Sequence, residues 1–82
     1  MLTYSFENID TESMYEHLYR CIKQDILQKK LRAGEKLPSK RTFAKNLGVS
    51  TITVESAYAQ LEAEGYVRAE PRRGFFAARL EP

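Results

Sequence analysis

Apolar residues recur at helical spacing over two long stretches of this 82-residue chain, and the pattern then changes to a short alternation. Tyr15, Leu18, Tyr19, Ile22 and Ile26 make one stripe, which predicts a helix over residues 14–29 with His17, Gln24 and Gln28 turned to water. Val54, Ala57, Tyr58 and Leu61 make a second stripe, and Phe43, Ala44, Leu47 and Val49 can meet it from the segment just before. Ahead of both, Leu2, Tyr4 and Phe6 alternate with smaller polar residues, as an extended arm with one apolar face would.

The punctuation between these runs sets the element boundaries. Ser13 with Glu16 has the spacing of a capping box for the first helix. Pro38 disfavours helix at Leu37, so Ser39 can cap a short helix over 40–46, and Gly48 supplies the turn after it. Ser50 caps a longer helix over 51–64, with Gly65 allowing a left-handed exit; Thr53 in place of Glu or Gln leaves only half a capping box. Leu31 and Leu37 are expected to plug the base of the core, with residues 36–37 as a very short strand. Residues 66–69 and 75–78 read as two strands around a Pro71-Arg72-Arg73-Gly74 turn. A two-stranded ribbon is marginal alone, so Tyr66, Val67 and one of the two Phe side chains should pack on the helices. The expected fold is α+β: three helices plus a small antiparallel β-hairpin, a winged helix-turn-helix spanning 13–79. Residues 1–12 form an arm and turn, and 80–82 the start of a linker.

Charge changes the picture more by its distribution than by its sum. The net charge is only +2, from thirteen Lys plus Arg and eleven Asp plus Glu. Residues 29–45 nevertheless hold seven basic groups against Glu35 alone, and Arg68, Arg72, Arg73 and Arg79 follow the long helix. Cations thus flank that helix on both sides, although a basic run is also what a solvated face looks like. The single cysteine forms no intramolecular disulfide, Cys21 and His17 lack a ligand pattern, and no apolar run approaches membrane-spanning length. The tyrosines have core spacing and do not suggest stacking platforms. The chain shows no phosphate loop, metal cluster or nucleophile triad, so no enzyme is expected within it, and a cytoplasmic setting is.

A helix that places its first turn in a DNA major groove presents side chains to base edges while neighbouring amides and cations grip phosphates. Here Thr51, Ile52, Thr53, Glu55 and Ser56 occupy that turn and the next. Ile52 suits a thymine methyl, and Glu55 can accept from cytosine N4, pair with Arg41, or face water. The long helix carries neither Arg nor Lys, so a bidentate contact to guanine falls to Arg41. Lys36, Ser39, Lys40 and Lys45 are assigned to phosphates, with Ser50 as a cap that can add a contact. Arg72 and Arg73 are placed on a minor groove or the backbone, with Gly74 permitting close approach. The competing expectation is a winged helix that docks proteins without specific DNA binding.

The run GEKLPSKRTFAKNLGVSTITVESAYAQLEAEGYV, followed by PRRGFF, resembles the DNA-binding domain of GntR-family transcription regulators, and is most similar to the MocR branch. The resemblance covers residues 14–79. It implies a bacterial regulator on a double-stranded operator, as a homodimer on two half-sites. It also implies that the arginine of PS-x-R, here Arg41, contacts DNA, with Ser50, Thr53 and Gly74 matching the cap serine, the TV threonine and the wing glycine. Many relatives carry arginine where this chain has Thr51, and many outside the MocR branch carry it where this chain has Glu55. In a MocR-like protein, pyridoxal phosphate would belong to a downstream aminotransferase-like domain and to no residue present here.

Overall fold

A computed structural model describes residues 14–80. The arm at 1–6, the turn with the Ser13 half of the capping box, and residues 81–82 lie outside the described residues. Within them the order is α1 (Met14–Leu27), α2 (Lys40–Leu47), α3 (Thr51–Ala63), β1 (Val67–Glu70) and β2 (Gly74–Ala77). This is a winged helix-turn-helix.

Helix α3 is the hub: it packs against α1 on one side, α2 on another, and β1 beyond its C-terminus. Val54, Ala57, Tyr58 and Leu61 are buried there against Leu18, Ile22 and Ile26 of α1 and Phe43 and Ala44 of α2. Leu31, Leu37, Val67 and Ala77 close the core from the connections and the hairpin, and Tyr19, Leu47, Val49, Tyr66 and Phe75 pack around its edge. Val54, Ala57, Tyr58 and Leu61 of α3 point inward, while Ile52, Ala59 and Ala63 stay exposed on its outer side.

The two predicted caps that fall within the described residues, Ser39 and Ser50, form. The Ser39 Oγ accepts from the Thr42 amide at 3.2 Å, and the Ser50 Oγ from the Thr53 amide at 3.1 Å. The Thr53 hydroxyl also meets the Ser50 hydroxyl at 2.9 Å, an engagement of the half-box that the spacing did not suggest. Helix α1 ends at Leu27, two residues before the expected boundary, because Lys29 turns into the left-handed region (φ 62°) and the Lys30 amide reaches back to the Asp25 carbonyl. His17, expected to face water, is half-buried with its Nε2 3.7 Å from the Cys21 sulfur.

Both strands lie one residue nearer the turn than expected, in the register the expected bounds imply, pairing Val67 with Ala77 and Glu70 with Gly74. More consequentially, the hairpin is not a lone ribbon. The Leu37 amide donates to the Phe75 carbonyl, the Ala77 amide to the Glu35 carbonyl and the Gly34 amide to the Ala77 carbonyl, all between 2.7 and 2.8 Å, with Lys36 bridging Phe76. The connection between α1 and α2 thereby lends β2 a second partner, which offsets the marginal stability of two strands in water.

Candidate nucleic-acid interface

The outer side of the first turn of α3 stands clear of the core, while Val54 on its inner side is buried. Ile52 is 71% exposed, Thr51 and Glu55 are exposed, and Thr53 and Ser56 are half-buried. Ile52 therefore takes no part in the core and is open to meet another surface. Arg41 lies exposed on the first turn of α2, and Lys45 on its last turn, where a cation also complements the helix dipole.

One contact places the wing beside this helix pair. The Lys40 ammonium is 3.2 Å from a Glu55 oxygen and 5.4 Å from the centre of the Phe75 ring. It therefore joins α2, α3 and β2 at a single point. Glu55 pairs with Lys40, not with Arg41 as one of its expected partners, because Lys40 comes from the start of α2 next to the second turn of α3. The Phe75 ring in turn sits 5.0 Å from that of Tyr58, on the inner face of the hairpin.

Alternation along the strands separates two wing faces. Val67, Ala69, Phe75 and Ala77 share the inner one, by the register of the pairs; Arg68, Glu70, Gly74 and Phe76 share the outer. Lys36 joins the outer face through its bridge to Phe76. Its Cε would lie 3.1 Å from a Cβ built on Gly74, so the space beside this glycine is taken by the protein's own lysine. Glu70 pairs with Arg68 at 2.8 Å and with Arg73 at 3.1 Å, and both guanidinium groups lie over the Phe76 ring.

Arg68, Glu70 and Phe76 are not among the DNA contacts expected from the sequence. The signal was available in part: once Val67 faces in, Arg68 and Glu70 must face out. Their convergence on Phe76 required the register. At the tip, the Arg73 amide donates to the Glu70 carbonyl at 3.0 Å with Pro71 and Arg72 between, and Arg72 holds φ 65°. That is the turn geometry in which proline takes the second place and glycine or asparagine usually the third. An arginine occupies it here.

Elsewhere the described residues contain no group of three or more His, Cys, Asp or Glu placed to hold a metal, and no helix long and apolar enough to cross a membrane. No lysine among them is buried, so none offers the enclosed amine that pyridoxal phosphate would require. Those residues do not fit that cofactor.

Residues 14–77 match the family described as "Bacterial regulatory proteins, gntR family". The chain is 51% identical over 69 residues to the "Uncharacterized HTH-type transcriptional regulator YhdI" of Bacillus subtilis, covering 84% of this chain and 15% of that protein. It is 39% identical over 69 residues to the "Probable rhizopine catabolism regulatory protein MocR" of Rhizobium meliloti, covering 84% and 14%. Among solved structures, AraR(DBD) in complex with operator ORE1 superimposes with a TM-score of 0.74 at 26% identity, covering 79% of each chain. The chain spans about one seventh of the length of the curated relatives it matches.

Proposed function

This chain belongs to the gntR family of bacterial regulatory proteins, and on that premise we propose that it is the sequence-specific, double-stranded DNA-binding module of a transcription regulator. The first turn of α3 enters the major groove, Arg41 reads a base edge beside it, and the wing tip at Arg72 and Arg73 lies on the minor groove or backbone. The observation that carries this reading is the bare outer side of the first turn of α3, with Ile52 open to solvent and the wing tied to the same end of the helix through Lys40. AraR, a structural relative, was crystallised on its operator, which supports the same mode of use here.

Roles then follow from position. Thr51, Ile52 and Ser56 meet base edges. Ser39, Lys36 and Lys45 meet phosphates, and Lys40 divides its charge between Glu55 and the backbone. Ser50 and Thr53 act through the helix start they hold together. The whole protein acts as a homodimer in the cytoplasm, each copy taking one half-site, and carries a larger second domain of the MocR kind. The length of the relatives and the match to the Rhizobium meliloti protein support that last step.

Selection of genomic duplex fragments by this domain at two salt concentrations tests the reading. A recurrent motif, repeated at a fixed spacing and retained at the higher salt, is the expected result. Fragments without a shared motif at low salt would leave only phosphate attraction, and capture of none would shift the case to a winged helix that docks proteins.

A further inference from the structure

On the outer face of the wing, one carboxylate serves two arginines. The Glu70 Oε2 is 2.8 Å from an Arg68 Nη and its Oε1 is 3.1 Å from an Arg73 Nη. The guanidinium carbons stand 5.6 Å and 5.7 Å from the Phe76 ring centre. The arginine side chains are 51% and 71% exposed, the glutamate only 27%. The acid is thus the inner member of the cluster and the cations its outer rim.

We propose that Glu70 is a specificity-determining positioning residue, which holds Arg68 and Arg73 on Phe76 and competes with DNA phosphates for them. The inference rests on the DNA-binding reading above. Sequence-independent affinity comes almost wholly from cations that displace counterions from phosphates. An arginine already facing a carboxylate gains less from a phosphate, because it must loosen one partner to take the other. Each pair alone is weak at this exposure. Here the two share one carboxylate and one ring, so loss of the acid frees both together. The wing then grips any duplex more tightly, while base contacts from α2 and α3 are unchanged.

The test compares Glu70→Gln with the wild-type chain on a mixed-sequence duplex of about 30 base pairs, titrated between roughly 50 and 200 mM salt. The variant is expected to bind that duplex about 3- to 10-fold more tightly at the lower salt, with a salt slope steeper by about one to two. Its preference for the selected fragments over the mixed duplex falls accordingly. Glu62→Gln removes the same charge from the exposed end of α3 and should leave the slope alone. Adding Arg68→Gln and Arg73→Gln to the Glu70 variant should return the slope to wild type or below. An unchanged slope in Glu70→Gln, or an equal change in Glu62→Gln, overturns the proposal. Failure of the wild-type chain to bind either duplex would remove the DNA-binding reading itself, and this one with it.

Discussion

The Tyr58 hydroxyl donates to the Pro38 carbonyl at 2.7 Å, joining the buried middle of α3 to the residue just ahead of the α2 cap. Tyr58 is 0% exposed, and burial pushes its phenol well above the ordinary tyrosine range. The bond fixes how α2 enters, and with it the position of Arg41 relative to α3. Tyr58→Phe keeps the ring contacts with Phe43 and Phe75 but leaves a carbonyl without its donor. We expect a loss of about 1–2 kcal/mol, seen as a lower urea midpoint at unchanged slope, together with weaker DNA binding. Wild-type stability in that variant would mean the carbonyl finds water instead.

The two serine caps are expected to behave as separate units. Ser39→Ala and Ser50→Ala should each cost about 1 kcal/mol, and the glycine variants only a few tenths, because glycine leaves the cap amides open to water. Ser50 also engages the Thr53 hydroxyl, so its alanine variant should be the costlier of the two. Urea unfolding of the four variants decides the order, and equal costs would argue that the hydroxyl pair adds nothing.

Arg41→Ala should lower affinity for selected fragments by about 1–3 kcal/mol and relax the preference at one base position. The expected stability change is within about 0.5 kcal/mol, since Arg41 is exposed. Retained preference at every position, measured by repeating the selection with the variant, would take this residue out of base reading.

Arg72 offers a way to separate backbone strain from charge. At φ 65° its Cβ costs roughly 1–2 kcal/mol, which glycine would relieve, against roughly 0.5–1 kcal/mol of added freedom in the unfolded chain. Arg72→Gly should therefore leave stability unchanged or slightly raised, yet lower both duplex affinity and its salt slope, the latter by about one. Gly74→Ala should destabilise, chiefly through φ 114°, because the Lys36 atom in the way is the far end of a flexible side chain. A stable Arg72→Gly variant with undiminished salt dependence would mean that the wing tip stays off DNA.

The Tyr19 hydroxyl donates to the Glu64 carboxylate, tying α1 to the end of α3, with the Lys23 ammonium 3.4 Å from the same hydroxyl. This bond, followed by one from Gln60, lowers the Glu64 pKa, and the carboxylate raises that of Tyr19. A lowered acid adds stability above its unfolded value near 4.5, which is lost as pH falls through the folded one. A raised phenol adds stability below its unfolded value of 10.0, lost as pH rises through the folded one. The difference in melting temperature between wild type and Tyr19→Phe should thus be flat around neutral pH and shrink towards both extremes. A pH-independent difference would show that only packing is lost.

The sequence by itself determined the elements and their inner faces. Ser39, Ser50, Gly48 and Gly65 act through neighbours three or four residues away, and a stripe such as Val54, Ala57, Tyr58 and Leu61 is fixed by helical period alone. The bare Ile52 follows from the same period, since the side opposite a packed stripe must face outward. What only the tertiary structure decided depends on residues far apart in the chain. That residues 34–37 pair with β2, that Lys40 takes Glu55 in place of Arg41, and that Arg68, Glu70 and Arg73 gather over Phe76 all rest on strand register and helix docking. A shift of one residue along a strand would turn every side chain to the other face, so these groupings exist only in the pairing and docking the folded chain adopts.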